Sequence, residues 1–174
     1  MISSTVAPIH SETTVDDPSS AAGRVSAAAG SICAVSPVCG WMPRMGFCGA
    51  AAARENGCDF VLGLGGGSSI DAGKAIAVMA VNPGDYWDYN GGITGRGLPV
   101  PNDPLPIVAI TTTAGTGTEA NPWTVILNEA TNEKLGFGYE KTYPTLSIVD
   151  PELMLSVPPL FTAFQGFDIL FHTT

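Results

Sequence analysis

The sequence predicts an α/β fold built on a parallel sheet, and two observations carry that expectation. Short apolar runs recur along the chain, CDFVLGLG, PLPIVAI and TLSIVD, each of a length suited to a buried strand. Between the first two lies GGSSIDAGKAIAVMA, a turn of small residues running into good helix formers. Strand, turn, helix and strand in that order is the grammar of parallel strands joined by crossovers.

The elements follow in order from Ala51. AAARENG reads as the last turns of a helix with Gly57 as its cap. CDFVLGLG is the first strand and GGSSIDAGKAIAVMA the helix after it. DYWDYNGGITGRGLPVPNDP, full of Gly, Pro and Asp, reads as a long loop. PLPIVAI is the second strand and ends in the polar run TTTAGTGTEA. WTVILNEATNEKLGFG alternates around central turn residues, the pattern of a β-hairpin. TLSIVD is a further strand, and a helix begins near FTAFQGFDILFH. Residues 1–50 differ: they are rich in Ala, Ser and Gly, and they show no sustained period of 2 or 3.6. Pro37 and Pro43 would interrupt any helix there. This stretch is expected to be a disordered tail or a misread segment.

Composition excludes several functions. The 174 residues carry a formal net charge of -9, which argues against a nucleic-acid surface or a basic membrane patch. No apolar run reaches the length of a membrane span. The N-terminus lacks a basic region followed by an apolar core, so no secretory signal is expected and the cytoplasm is the expected location. Cys33, Cys39, Cys48 and Cys58 form no CxxC pair and read as reduced thiols rather than zinc ligands.

Three stretches carry chemistry. In VLGLGGGSSIDAGKA a glycine cluster sits between strand and helix. Helix N-termini bind anions, and Gly65, Gly66 and Gly67 let a phosphate approach the backbone. The run matches neither GxGxxG nor GxxxxGK[ST], so a phosphate cradle and a plain turn both stay open. TTTAGTGTEA also lies at the carboxyl end of a strand, where ligands of open α/β sheets bind. One of its threonines is explained by a helix cap, all three less readily. In GFDILFHTT, Asp168 and His172 stand four apart, on one helical face if a helix forms. They read as a metal pair or as two residues of a terminal turn.

GLGGGSSIDAGKAIA, ITTTAGTGTEANPWTVI, VDPELMLSVPP and GFDILFH together resemble iron-containing (group III) alcohol dehydrogenases. The resemblance runs from Ala51 to His172. The second motif sets it apart from dehydroquinate synthases and glycerol dehydrogenases, which differ at that loop. The resemblance implies a Rossmann-like parallel sheet with helices on both faces plus a β-hairpin. Residues 51–157 would form the dinucleotide-binding domain, and 158–174 the start of a helical metal-binding domain. It implies that Gly66, Gly67 and Ser68, with Asp71, hold the cofactor pyrophosphate. Thr112, Thr113 and Thr116 match the second cofactor loop, and Val125 and Lys134 the nicotinamide side. Asp168 and His172 match the first two metal ligands of the family motif G-x-D-A-L-x-H-A-x-E. The implied cofactors are NAD or NADP and Fe2+ or Zn2+, the substrate an alcohol or aldehyde, and the assembly a homodimer. No catalytic side chain is assigned.

The match departs from the pattern after His172, where Thr173 and Thr174 replace Ala-x-Glu and the helical domain with its two further histidines is missing. The chain is therefore expected to be a fragment that binds metal weakly and does not turn over alcohols. A nucleotide-binding module and a non-functional remnant are the alternatives. The apolar stretch from Leu155 to Phe171, left bare, is expected to drive association.

Overall fold

The computed structural model describes residues 22–27, 30–35 and 42–174, residue 129 excepted, with side chains from Gly49 onward. Seven strands and four helices follow in chain order: β1 (Ala22–Ala27), β2 (Gly30–Val35), α1 (Met42–Glu55), β3 (Phe60–Gly65), α2 (Gly67–Val81), α3 (Tyr86–Tyr89), β4 (Ile107–Thr111), β5 (Trp123–Asn128), β6 (Glu133–Gly138), β7 (Leu146–Val149) and α4 (Pro159–Thr173). Five strands form one sheet in the order β1-β2-β3-β4-β7. β2, β3, β4 and β7 run parallel, and β1 pairs antiparallel at the edge. β5 and β6 form a separate antiparallel ribbon, with Val125 opposite Gly136 and Leu127 opposite Lys134. The expected α/β class, parallel sheet and hairpin are all present.

Helices α1 and α2 pack against each other over one face of the sheet. α2 is buried almost all round, from Ser69 to Ala80, because the sheet covers one side and the hairpin another. Its approach to β3 is close. A Cβ on Gly63 would stand 3.0 Å from the Ile70 Cα, and one on Gly73 would stand 3.4 Å from the Gly63 Cα. Two glycines thus let helix and strand backbones meet. Val61, Ala72, Ile76, Ala77 and Ile107 fill the layer between. A second cluster joins α2 to the hairpin through Val78, Met79, Tyr86, Ile126 and Phe137, with the Tyr86 and Phe137 rings edge-on at 5.6 Å. The other face of the sheet is less covered: Leu62, Val108 and Ile110 are half-buried and Leu64 is exposed.

Gly57 caps α1 as expected, at φ 57, and the amides of Gly57 and Cys58 return to the carbonyls of Arg54 and Ala53. That pair of bonds is a Schellman motif. Three local readings need correction. Residues 1–50 were expected to hold no regular element, yet β1, β2 and the first turns of α1 lie there; 1–21, 28–29 and 36–41 lie outside the described residues. Pro43 does not interrupt α1, because it sits in the first turn, where no intrahelical N–H bond is lost. The long loop after α2 contains α3, started by a reciprocal cap between Asp85 and Asp88. No helix among the described residues is long and apolar enough to cross a membrane.

Candidate functional site: a cleft at the strand ends

The carboxyl ends of β3 and β4 carry the two motif loops. The first is the glycine turn. Gly65, at φ 139, takes the chain out of β3, and Gly66 caps α2 without a side-chain hydrogen bond. The first-turn amides of α2 therefore have no capping side chain, and Gly67 and the exposed Ser68 line open space. The second loop follows β4 and turns at Gly115 (φ 106) and Gly117 (φ 62). The loops touch. The Thr112 amide donates to the Gly65 carbonyl at 2.9 Å, and a Cβ on Gly67 would stand 2.7 Å from Thr116 Cγ2.

Between them opens a cleft of about 980 Å³. Gly67, Ser68 and Asp71 form its α2 wall, and Gly115 to Thr118 form the wall of the second loop. The hairpin contributes Trp123, Val125, Leu127 and Lys134, and α4 contributes Asp168, Ile169, His172 and Thr173. Lys134 and the N-terminal end of α2 offer positive charge to the cleft, beside the carboxylates of Asp71 and Asp168.

The residues singled out in the sequence divide into two groups. Gly67, Ser68, Asp71, Thr116, Val125, Lys134, Asp168 and His172 come together on the cleft wall. Gly66, Thr112 and Thr113 lie behind it. Gly66 accepts from the amides of Ser69 and Ile70, and Thr113 packs where a Cβ on Gly66 would be, 3.1 Å from its Oγ1.

Asp71 is buried, with both oxygens engaged. Oδ1 accepts from the Thr118 hydroxyl, and Oδ2 accepts from the Val125 amide at 3.0 Å. Burial pushes its carboxyl above the usual range, opposed by those two bonds and by Lys74 and Lys134. On α4, His172 Nε2 lies 3.9 Å from Asp168 Oδ1. His172 Nδ1 is 2.9 Å from the Gly115 carbonyl, an acceptor, so that nitrogen carries the proton. Nε2 is then the ring nitrogen turned toward the Asp168 carboxylate and the one placed to ligate. The Gln165 side chain reaches the same loop, accepting from the Ala114 amide at 3.0 Å. Gln165, Asp168 and His172 thus share one face of α4.

Sequence reasoning missed Gly115, Trp123, Gln165 and Lys74. Lys74 alone carried a readable signal, as a lone cation in the apolar run IDAGKAIAVMA, one helical turn from Asp71.

An open, mainly parallel α/β sheet with its crevice at the carboxyl ends of the strands defines the class. Within it, the chain belongs to the iron-containing alcohol dehydrogenase family, whose model matches residues 47–151. It is 44% identical over 119 residues to the NAD-dependent methanol dehydrogenase of Bacillus methanolicus, covering 68% of this chain and 30% of that protein. It is 40% identical over 131 residues to NADH-dependent butanol dehydrogenase A of Clostridium acetobutylicum, covering 72% and 31%. Among solved structures, an archaeal halo-thermophilic Red Sea brine pool alcohol dehydrogenase superposes with a TM-score of 0.70 at 38% identity, covering 75% and 34%. Sulfoacetaldehyde reductase from Bifidobacterium kashiwanohense, solved in complex with NAD+, gives 0.64 at 40% identity, covering 70% and 31%. The chain spans about 30% of the length of the curated relatives it matches.

Proposed function

We propose that this chain supplies the dinucleotide-binding part of an alcohol dehydrogenase that uses NAD or NADP. The observation that carries the reading is the convergence of four elements on one cleft: the α2 N-terminus, the second loop, the hairpin with Lys134, and the Asp168–His172 face of α4. The first-turn amides at Gly67 and Ser68 are suited to the pyrophosphate, the site where a helix end favours an anion. Thr116 supports that cradle from across the cleft. Val125 offers an apolar wall for the nicotinamide, and Lys134 balances phosphate charge. Relatives whose names specify NAD or NADH support this choice of cofactor. When bound, the nicotinamide supplies the hydride acceptor for an alcohol, or the donor for an aldehyde.

The donors Asp168 Oδ and His172 Nε2 suit a divalent metal such as Fe2+ or Zn2+ in kind, and both face the cleft. They do not suffice in number. A catalytic shell uses about three protein ligands, and no cluster of three His, Cys, Asp or Glu side chains exists among the described residues. The chain alone therefore binds nucleotide without turning over alcohols. Titration of the purified chain with NAD and with ADP-ribose, with and without Fe2+ or Zn2+, tests this. Saturable binding of both nucleotides with little dependence on metal is expected. Absence of saturable binding would remove the reading, and alcohol-dependent reduction of NAD would overturn the assignment of a partial metal site.

A further inference from the structure

Lys74 is fully buried beneath the site and is not among the residues lining the cleft. Its ammonium Nζ donates to three main-chain carbonyls: Thr118 at 2.7 Å, Asn121 at 2.7 Å and Trp123 at 2.8 Å. Those are as many acceptors as an ammonium has protons. The Thr118 hydroxyl lies 2.9 Å from the same nitrogen and donates in turn to Asp71 Oδ1. Asp71 then takes the Val125 amide on Oδ2. One turn of α2 thus fastens a continuous segment from Thr118 to Val125 at five points, through one lysine and one aspartate. That segment joins the second loop to the hairpin, and it forms the cleft wall at Thr118, Asn121, Trp123 and Val125.

The fastening needs a buried cation. The segment turns so that its carbonyls converge on one point, which leaves them without partners from any strand. An apolar side chain there would take the ammonium donor from three buried or part-buried carbonyls at once. Asp71 and Glu119 are the charged groups nearest Lys74, and both favour its ammonium form, against burial.

We propose that Lys74 is a positioning residue: it holds the 118–125 segment against α2 and so fixes the wall on which the cofactor rests, without touching the cofactor. The cofactor half of this statement rests on the proposed nucleotide reading; the wall-fixing half does not.

The test uses the whole 174-residue chain and its Lys74→Met and Thr118→Val variants. Hydrogen exchange is measured across the chain, and NAD affinity by calorimetry. Lys74→Met is expected to speed exchange in 118–125 by about tenfold or more, as three carbonyls lose their ammonium donor, while β3, β4 and the body of α2 keep their protection. NAD affinity should fall about tenfold in step, and saturating NAD should restore protection to 118–125. Thr118→Val, nearly isosteric, removes the hydroxyl that links Lys74 to Asp71 and lies 3.4 Å from the Trp123 carbonyl, and leaves the three carbonyl bonds of Lys74 in place. It should give the same pattern at smaller amplitude, and it decides the matter if Lys74→Met does not fold. Exchange rising evenly over the domain, or 118–125 unchanged, would overturn the proposal. So would wild-type NAD affinity in a variant whose 118–125 segment has loosened. If the unaltered chain binds no NAD, the nucleotide reading fails and the exchange pattern alone judges Lys74.

Discussion

At the scale of the residue, Gly115 joins the two halves of the site. Its φ of 106 suits glycine alone, and an added Cβ would stand 2.9 Å from Asp168 Oδ2 and 3.2 Å from both Asp168 Cβ and the Gln165 carbonyl. Its own carbonyl orients His172. Gly117, two residues on, also has positive φ, at 62, but opens on free space. The pair separates backbone strain from steric contact. Gly117→Ala is expected to cost about 1 kcal/mol, the ordinary penalty of a left-handed alanine. Gly115→Ala is expected to cost about 1–3 kcal/mol and to push α4 off the loop. Chemical denaturation gives the energies. Nitrogen chemical shifts of the His172 imidazole report whether Nδ1 still carries the proton; these should move in Gly115→Ala only. Equal costs and an unmoved imidazole in both variants would show that Gly115 does not seat Asp168 and His172. Neither role was legible in TTTAGTGTE. Glycine spacing announces a turn, whereas the partner across it, Asp168, lies over fifty residues away in sequence. Asp168 and His172 were legible because an i, i+4 pair is a local fact of helix geometry.

At the scale of the element, the hairpin does more than wall the cleft. Glu133, at the start of β6, holds the loop after α3: its carboxylate accepts from the Ile93 amide at 2.9 Å and from the Thr94 amide and hydroxyl. The Thr94 hydroxyl also takes the Trp87 indole N–H. The Thr94 hydroxyl bond, and then the two amides, hold the Glu133 carboxyl below its usual value of 4.5. A carboxylate favoured in the folded state contributes fully above the unfolded value and is lost as pH falls through the lower folded value. The amides of Ile93 and Thr94 should therefore still be held at pH 4.5 and be released only as pH falls further, through the depressed folded value. Amide exchange or NMR shifts against pH will show this, and Glu133→Gln should abolish the transition. A transition that persists in that variant would assign it to another group. The same region shows why some elements were unreadable. α2, β3, β4 and the hairpin announce themselves through runs of apolar or alternating residues. α3 is one turn long, so its only sign is the Asp85 and Asp88 cap amid Gly and Pro. β1 and β2 are built from AGRVSA and GSICAV, small residues whose strand character comes from the ladders, β2 to β3 and β1 to β2, rather than from their own pattern.

At the scale of the whole molecule, the chain combines a strongly acidic surface with one apolar helix face. On α4, Phe161, Phe164, Phe167 and Leu170 are each more than half exposed, and Phe171 is 76% exposed. These side chains lie outside both hydrophobic clusters of the α/β core. A contiguous aromatic face of this kind exceeds what monomeric soluble surfaces ordinarily show, and each ring fully buried is worth about 1.5–3 kcal/mol. Opposing it is the net charge of -9, which makes copies of the chain repel at long range. The balance between them depends on salt. At low ionic strength the repulsion reaches tens of ångströms, whereas near physiological salt it decays over about 8 Å. Association through α4 should therefore strengthen as salt is added, the reverse of association through ion pairs. Sedimentation of the purified chain is expected to show larger species that grow with concentration and with salt. A Phe164→Ser, Phe171→Ser double variant should shift the population toward monomer while leaving the melting temperature within a degree or two, since neither ring packs into the core. If the double variant associates as strongly as the parent, the contact lies elsewhere, and the half-covered sheet face at Leu62, Leu64 and Ile110 is the next surface to alter. If salt dissolves the larger species, charge and not the aromatic face holds them together.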